Sequence, residues 1–191
     1  VVVQRVKSVR QRGMYPVTRN LFDALAMASL NHANIVTGIV ELNYGQLAES
    51  LSPRDENGEV IADQAVTAKR ISNILRLFFS IGIALPPPDL AENWDRINKT
   101  RLPRYIILTD EGFRLFGVRE ADLIKARELR LHSLREEKND WSLDEHSLRS
   151  AWYADARMNA IISRRTRAAE GKFRRRMTSL PFEERKREVA S

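Results

Sequence analysis

Residues 66 to 83 constrain the fold more than any other stretch. Ile71, Ile74, Leu75 and Phe78 recur at helical spacing and share one face, while Lys69, Arg70, Asn73 and Arg76 share the opposite one. The period predicts an amphipathic helix over 66–81, stopped at Gly82. Next come Ile83-Ala84-Leu85, the three prolines Pro86, Pro87 and Pro88, a polar loop to Pro103, and Arg104-Tyr105-Ile106-Ile107-Leu108. Two apolar runs joined by a long loop bounded by prolines predict a β-hairpin with an extended tip. A helix delivered straight into a hairpin leaves few architectures open.

The flanking segments narrow them further. Pro16 and Thr18 open a helix over about 17–31, with Leu21, Phe22, Leu25 and Ala28 at helical spacing, and 31–34 breaks it. The β-branched run 35–42 reads as a short strand. Asn43 with Gln46 three residues on is a capping-box variant that opens a helix through Leu51, with Leu47 and Leu51 inward. After the hairpin, Thr109-Asp110-Glu111 starts a short helix through Phe116, stopped by Gly117. A helix from Glu120 to Lys138 follows, with Leu123, Ile124, Leu131 and Leu134 inward, and then a break at Asn139-Asp140. Ser142 with Glu145 predicts the cap of a long helix from Leu143 towards Thr178, whose first half alone has a core face, in Leu148, Trp152, Ile161 and Ile162. A basic tail that folds only on a partner is the alternative for its second half. Pro181 allows a short terminal helix.

Helix, strand, short helix, amphipathic helix, hairpin is the order of a winged helix. The expected fold is therefore mainly α with a small β-hairpin. Residues 1–118 would form a winged-helix DNA-binding domain, and residues 119–191 a helical C-terminal extension with a basic helix. In a winged helix the second helix of the helix-turn-helix enters the major groove and the hairpin touches backbone or minor groove.

Charge agrees with that placement. The chain of 191 residues carries a net +7, and the charge is laid out in blocks of alternating sign. Residues 1–20, with Arg5, Lys7, Arg10, Arg12 and Arg19, give +5; residues 21–63 give −6; residues 64–104 give +4; residues 105–148 give −3; residues 149–176 give +7. Three separate basic blocks favour a polyanionic partner. On the helix at 66–81, Arg70 and Arg76 suit guanine O6/N7 and Asn73 suits adenine N6/N7, while Thr67 and Lys69 suit phosphate. An ordinary amphipathic helix with a solvated basic face has the same wheel. Lys99, Arg101 and Arg104 are the expected wing contacts, and Trp94 fits a packed anchor as well as a tip contact. In the long helix Arg157, Arg164 and Arg175 fall within about 20° of one another, with Arg165, Lys172 and Arg176 in a neighbouring row, forming one basic ridge.

Several function classes are disfavoured. No apolar run approaches the roughly 18 residues of a membrane span, so a soluble chain is expected, with no membrane partner. No cysteine is present, which removes disulfides, thiolate metal sites and a Cys nucleophile, and fits a reducing cytoplasm. GxxxxGK[ST], GxGxxG and GxSxG are missing. His32, His132 and His146 lie far apart, unlike the paired histidines that hold a metal beside a Tyr nucleophile in nicking enzymes. Glu136-Glu137 and Asp144-Glu145 point different ways on helices, so neither pair looks like a two-metal site, although acids distant in sequence could still converge in space. No catalytic activity, metal or cofactor is expected. The chain opens on Val1 and not Met, with neither a signal peptide nor a tag, so its native N-terminus is expected upstream.

The segment Val66-Thr67-Ala68-Lys69-Arg70-Ile71-Ser72-Asn73-Ile74-Leu75-Arg76, running on to Ile83, together with Tyr105-Ile106-Ile107-Leu108-Thr109-Asp110, Lys125-Ala126-Arg127, Arg164-Arg165-Thr166-Arg167 and Phe173-Arg174-Arg175-Arg176, resembles the RepA-class plasmid replication initiators of the IncFII-like family. Arg10 to Ala28 and Tyr44-Gly45-Gln46-Leu47-Ala48 fit the same order, and the resemblance is one of pattern and spacing over most of the chain. It implies a bacterial cytoplasmic protein that binds the double-stranded origin of its plasmid, helps to open or mark it, and recruits host replication proteins such as the replicative helicase. It carries over Arg70, Asn73 and Arg76 as recognition-helix positions, and Arg164, Arg165, Arg167, Arg174, Arg175 and Arg176 as a basic C-terminal segment. The triple-proline wing departs from the family pattern. A winged-helix transcriptional regulator is the alternative, a metal-dependent nuclease a third reading, and an RNA-binding module a weaker one, since no aromatic stacking platform is evident.

Overall fold

In a computed structural model, which describes residues 13–88 and 94–179, the chain is mainly helical with a small antiparallel sheet. Arg5, Lys7, Arg10 and Arg12, the loop at 89–93 and the short helix expected after Pro181 lie outside the described residues. Helix α1 (Pro16–Asn31) starts on a proline, whose fixed φ suits the first helical position, and buries Phe22, Leu25, Ala26 and Ser29. The strand expected over 35–42 shrinks to β1 (Ile39–Val40). Asn34 is the reason. Its Oδ1 accepts from the amides of Val36 and Thr37, its carbonyl accepts from Gly38 N, and Gly38 sits at φ +70°, so 34–38 is a turn.

The capping box forms as the sequence predicts and opens α2 (Tyr44–Ser50). Asn43 Oδ1 accepts from Gly45 N and Gln46 N at 2.9 and 3.1 Å, while Gln46 Oε1 accepts from Asn43 N at 2.9 Å. Ser52 then stitches the following loop shut: its hydroxyl donates to Ala48 O at 2.7 Å and accepts from Val66 N at 2.9 Å. The start of helix α3 (Ala68–Ser80) is thereby fixed beside the end of α2, and the two helices pack together. Thr67 caps α3 by accepting from Arg70 N. Ile71, Ile74, Leu75 and Phe78 are buried, each contributing about 1.5–3 kcal/mol of apolar burial.

After Gly82 come β2 (Ala84–Leu85), β3 (Trp94–Asp95), β4 (Thr100–Arg101) and β5 (Ile106–Leu108). Strand β5 is central in a three-stranded antiparallel sheet of order β1-β5-β2, and β3 and β4 form a hairpin of their own at the tip of the long connection. The single small hairpin expected from the sequence is thus a sheet plus a second hairpin. All three residues of β5 are buried because the sheet is covered on both faces. Ile106 and Leu108 join Val40, Phe22, Leu25, Phe78 and Phe113 in the main core, while Ile107 joins Ile39, Leu102 and Tyr153 on the other side.

Helix α4 (Asp110–Leu115) is capped by Thr109, whose hydroxyl also donates to Gly82 O at 2.7 Å. Helix α5 (Glu120–Lys138) ends at Asn139, in the left-handed region at φ 50°. Of its four expected inward residues only Leu123 is buried; Leu131 and Leu134 are half-buried and Ile124 is exposed. The helix is held more by polar ties than by an apolar stripe: Arg127 donates to Ile35 O at 2.9 Å and to Asp110 Oδ1 at 2.6 Å.

Helix α6 (Glu145–Ser179) is one continuous element of 35 residues, about 52 Å long. Its cap is not Ser142, which bonds to Asp140, but Asp144, whose Oδ1 accepts from Ser147 N at 2.7 Å. Its inward residues are Tyr153, Ala156 and Ile161, with Leu148 and Trp152 half-buried; Ile162, one step further round the helix, is exposed. Trp152 meets Tyr105 edge to face at 4.6 Å, and Arg149 donates to Thr37 O at 2.8 Å. The C-terminal segment therefore supplies the second face of the sheet.

Candidate nucleic-acid interface

Burial of Ile71, Ile74, Leu75 and Phe78 turns Thr67, Lys69, Arg70, Asn73 and Arg76 outward, and all five are exposed. On the helical wheel Lys69, Asn73 and Arg76 lie within about 60° of each other, with Arg70 at the edge of that group. The difference matters in three dimensions. Lys69, Asn73 and Arg76 line one wall of a cleft of about 1010 Å³, and Arg70 does not. Arg101 and Arg104 come from the end of the hairpin, and the opposite wall is α6, with Asn159, Ser163 and Arg167. Among the described residues the lining holds five cations and no Asp or Glu.

The floor is built from the junction of α2 with the β4–β5 connection. Tyr44 N donates to Arg104 O at 3.0 Å, which fixes one beside the other. Burial raises the Tyr44 phenol above its usual pKa, with the Arg104 charge opposing. Burial also raises Tyr105, with its hydrogen bond to Asn43 opposing. Both hydroxyls therefore remain protonated at neutral pH.

The hairpin is attached to α6 through a buried carboxylate. Asp95 is 2 % exposed and faces α6, where its Oδ2 accepts from Arg157 Nε at 2.8 Å. Its Oδ1 accepts from Asn98 N at 2.9 Å, and Oδ2 also accepts from Asn98 Nδ2 at 3.1 Å. The Arg157 hydrogen bond first, then the Asn98 amide, hold this carboxyl well below the ordinary carboxylate range against the opposing effect of burial. Arg164 Nη1 donates to Asn98 O at 2.6 Å. Two members of the expected ridge, Arg157 and Arg164, thus hold the hairpin.

The remaining ridge residues continue outward. Arg165, Lys172, Arg174, Arg175 and Arg176 are exposed beyond Ile161, the last buried apolar residue of α6 among the described side chains, and Arg167 Nε donates to Ser163 O of its own helix. Lys99 is exposed at the hairpin turn with φ 48°, and Trp94 is half-exposed on the hairpin's outer face. Sequence reasoning missed the wall at Asn159 and Ser163. The signal was present as an i, i+4, i+8 series with Arg167, beside the small residues Ala156 and Ala160 that let α6 approach the hairpin. Among the described residues no three His, Asp or Glu side chains are grouped so as to hold a metal ion, and no helix is long and apolar enough to cross a membrane.

The family model of the IncFII RepA protein family matches residues 1–191. The chain belongs to the IncFII RepA family. Among curated relatives, a replication initiation protein of Escherichia coli is 29 % identical over 201 residues, covering 99 % of this chain and 57 % of the relative. A second replication initiation protein of Escherichia coli is 29 % identical over 193 residues, covering 95 % and 55 %. A third is 28 % identical over 195 residues, covering 96 % and 56 %. The chain spans just over half the length of these relatives. No solved structure matches it.

Proposed function

We propose that this chain is the duplex-binding part of a plasmid replication initiator. Residues 16–118 act as a winged-helix unit, with α3 in the major groove of origin DNA and the β2–β5 connection as its wing. Lys69, Asn73 and Arg76 face the base edges. Arg70, at the rim, and Thr67, Arg101, Arg104 and Arg167 contact phosphate. Lys99 and the exposed Arg165, Lys172, Arg174, Arg175 and Arg176 add charge along the duplex, while Arg157 and Arg164 position the wing. The protein acts in the bacterial cytoplasm by binding, without catalytic chemistry of its own, and brings host replication proteins such as the replicative helicase to the origin. One observation carries the reading: among the described residues, five cations and no acid line the cleft beside the exposed face of α3 in a RepA-family chain.

The test is binding to origin DNA and to scrambled DNA across a salt series. Arg76→Ala is expected to weaken origin binding by about 1–3 kcal/mol and to relax preference at one position. Arg70→Ala is expected to weaken both duplexes alike and to lower the salt slope by about one. Equal binding of both duplexes by the unaltered chain at physiological salt would overturn the proposal.

A further inference from the structure

The apex of the β3–β4 hairpin carries a residue that this duplex reading does not use. Ile97 is 85 % exposed, more than any other large apolar side chain among the described residues. It lies in the four-residue turn 96–99, where Gly, Asn, Asp and Ser are the ordinary occupants. A β-branched apolar side chain gains nothing from folding at such a place.

The turn is also held rigid from behind. Asp95 accepts from both nitrogens of Asn98 and from Arg157, and Arg164 grips Asn98 O, so two turns of α6 brace the hairpin on the side away from Ile97. Asp95 and Thr100 are buried towards α6, while their neighbours Trp94 and Arg101 face outward. The exposed cations Arg96 and Lys99 lie on either side of Ile97 within the turn, and Arg101 follows on β4. A braced apolar point set between cations is complementary to a minor groove, where phosphate ridges border a floor of stacked base edges.

We propose that Ile97 is an apolar wedge, which the hairpin inserts into the minor groove beside the site held by α3, partly unstacking one base step and kinking the duplex. The proposal rests on the duplex reading above and adds distortion to it. The brace matters physically because a loose hairpin would bend back instead of parting the bases.

The experiment uses the full chain and a duplex that the chain itself selects from a random-sequence pool. Bend angle is measured by fluorescence resonance energy transfer between the duplex ends, and unstacking by 2-aminopurine placed at successive steps. The unaltered chain is expected to bend the duplex by about 20–90° and to brighten 2-aminopurine at one step. Ile97→Ala is expected to lose both signals while still selecting the same duplex, and Ile97→Met to keep them. The side chain is exposed, so neither change threatens folding. Unchanged bend and fluorescence with Ile97→Ala would overturn the wedge, leave duplex binding standing and turn the apex over to a protein contact. Failure of the unaltered chain to select any duplex would overturn the duplex reading and the wedge with it.

Discussion

At the scale of single residues, Asp95 shows how a polar group acquires its role from a distant partner. In the sequence it is one acid in a polar loop, and only the approach of Arg157, 62 residues later, makes it the foot of the hairpin. Its carboxyl is depressed in the folded chain, so the group binds fewer protons folded than unfolded as pH falls. Its stabilising effect is complete above the ordinary value of 3.8 and is lost as pH drops through the depressed one. Amide exchange at Asn98 is therefore expected to stay slow and flat with pH from 5 to 8, after correction for intrinsic exchange, and to accelerate only in strong acid. Arg157→Ala is expected to accelerate it at every pH, since a buried carboxylate then loses its counter-charge. Hydrogen exchange followed by mass spectrometry of residues 94–101 checks both.

At the scale of elements, local chemistry was legible at most of the caps and stops written in adjacent residues. The Asn43/Gln46 box, Thr109 and Gly117 lie where the sequence predicts boundaries, whereas the helix expected from Val66 starts at Ala68 behind a Thr67 cap and the cap expected at Ser142 falls on Asp144. Elements whose limits depend on remote contacts were not legible in the same way. The β-branched run at 35–37 looks like strand, yet Asn34 and Gly38 turn it, and Arg127 and Arg149 from two later helices hold its carbonyls. Helix α4 shows the same dependence in its packing. Gly112 lies so close to β2's approach that an added Cβ would sit 2.1 Å from Ile83 O, a backbone atom with little freedom to move. Gly112→Ala is expected to destabilise the fold by about 1–3 kcal/mol, read as a lower urea midpoint with an unchanged slope.

At the scale of the whole molecule, two of the basic blocks that alternate with acidic ones along the chain meet at one cleft. Part of the 64–104 block meets part of the 149–176 block across it, and the second half of α6 continues the positive charge outward. Contacts on the extension would add affinity and salt dependence without sequence preference. Replacing Arg174, Arg175 and Arg176 by Gln is expected to lower the salt slope of binding by as much as about three while leaving the ratio of origin to scrambled affinity unchanged. Fluorescence anisotropy titrations at several salt concentrations check this. A slope unaltered by the triple change would remove the extension from the interface.

The sequence alone determined the order of the helices, the caps at Asn43 and Thr109, the stops at Gly82 and Gly117, the sign and position of the charge, and the outward face of α3, because each depends on residues within a few positions of one another. Tertiary structure alone decided which cations meet. It separated Arg70 from Lys69, Asn73 and Arg76 at the cleft, assigned Arg157 and Arg164 to bracing the hairpin, and brought Asn159 and Ser163 to the opposite wall. The physical reason is the sheet. Its strand β5 needs cover on both faces, and Tyr153 on α6 reaches Ile39 and Ile107 only when the chain has closed on itself.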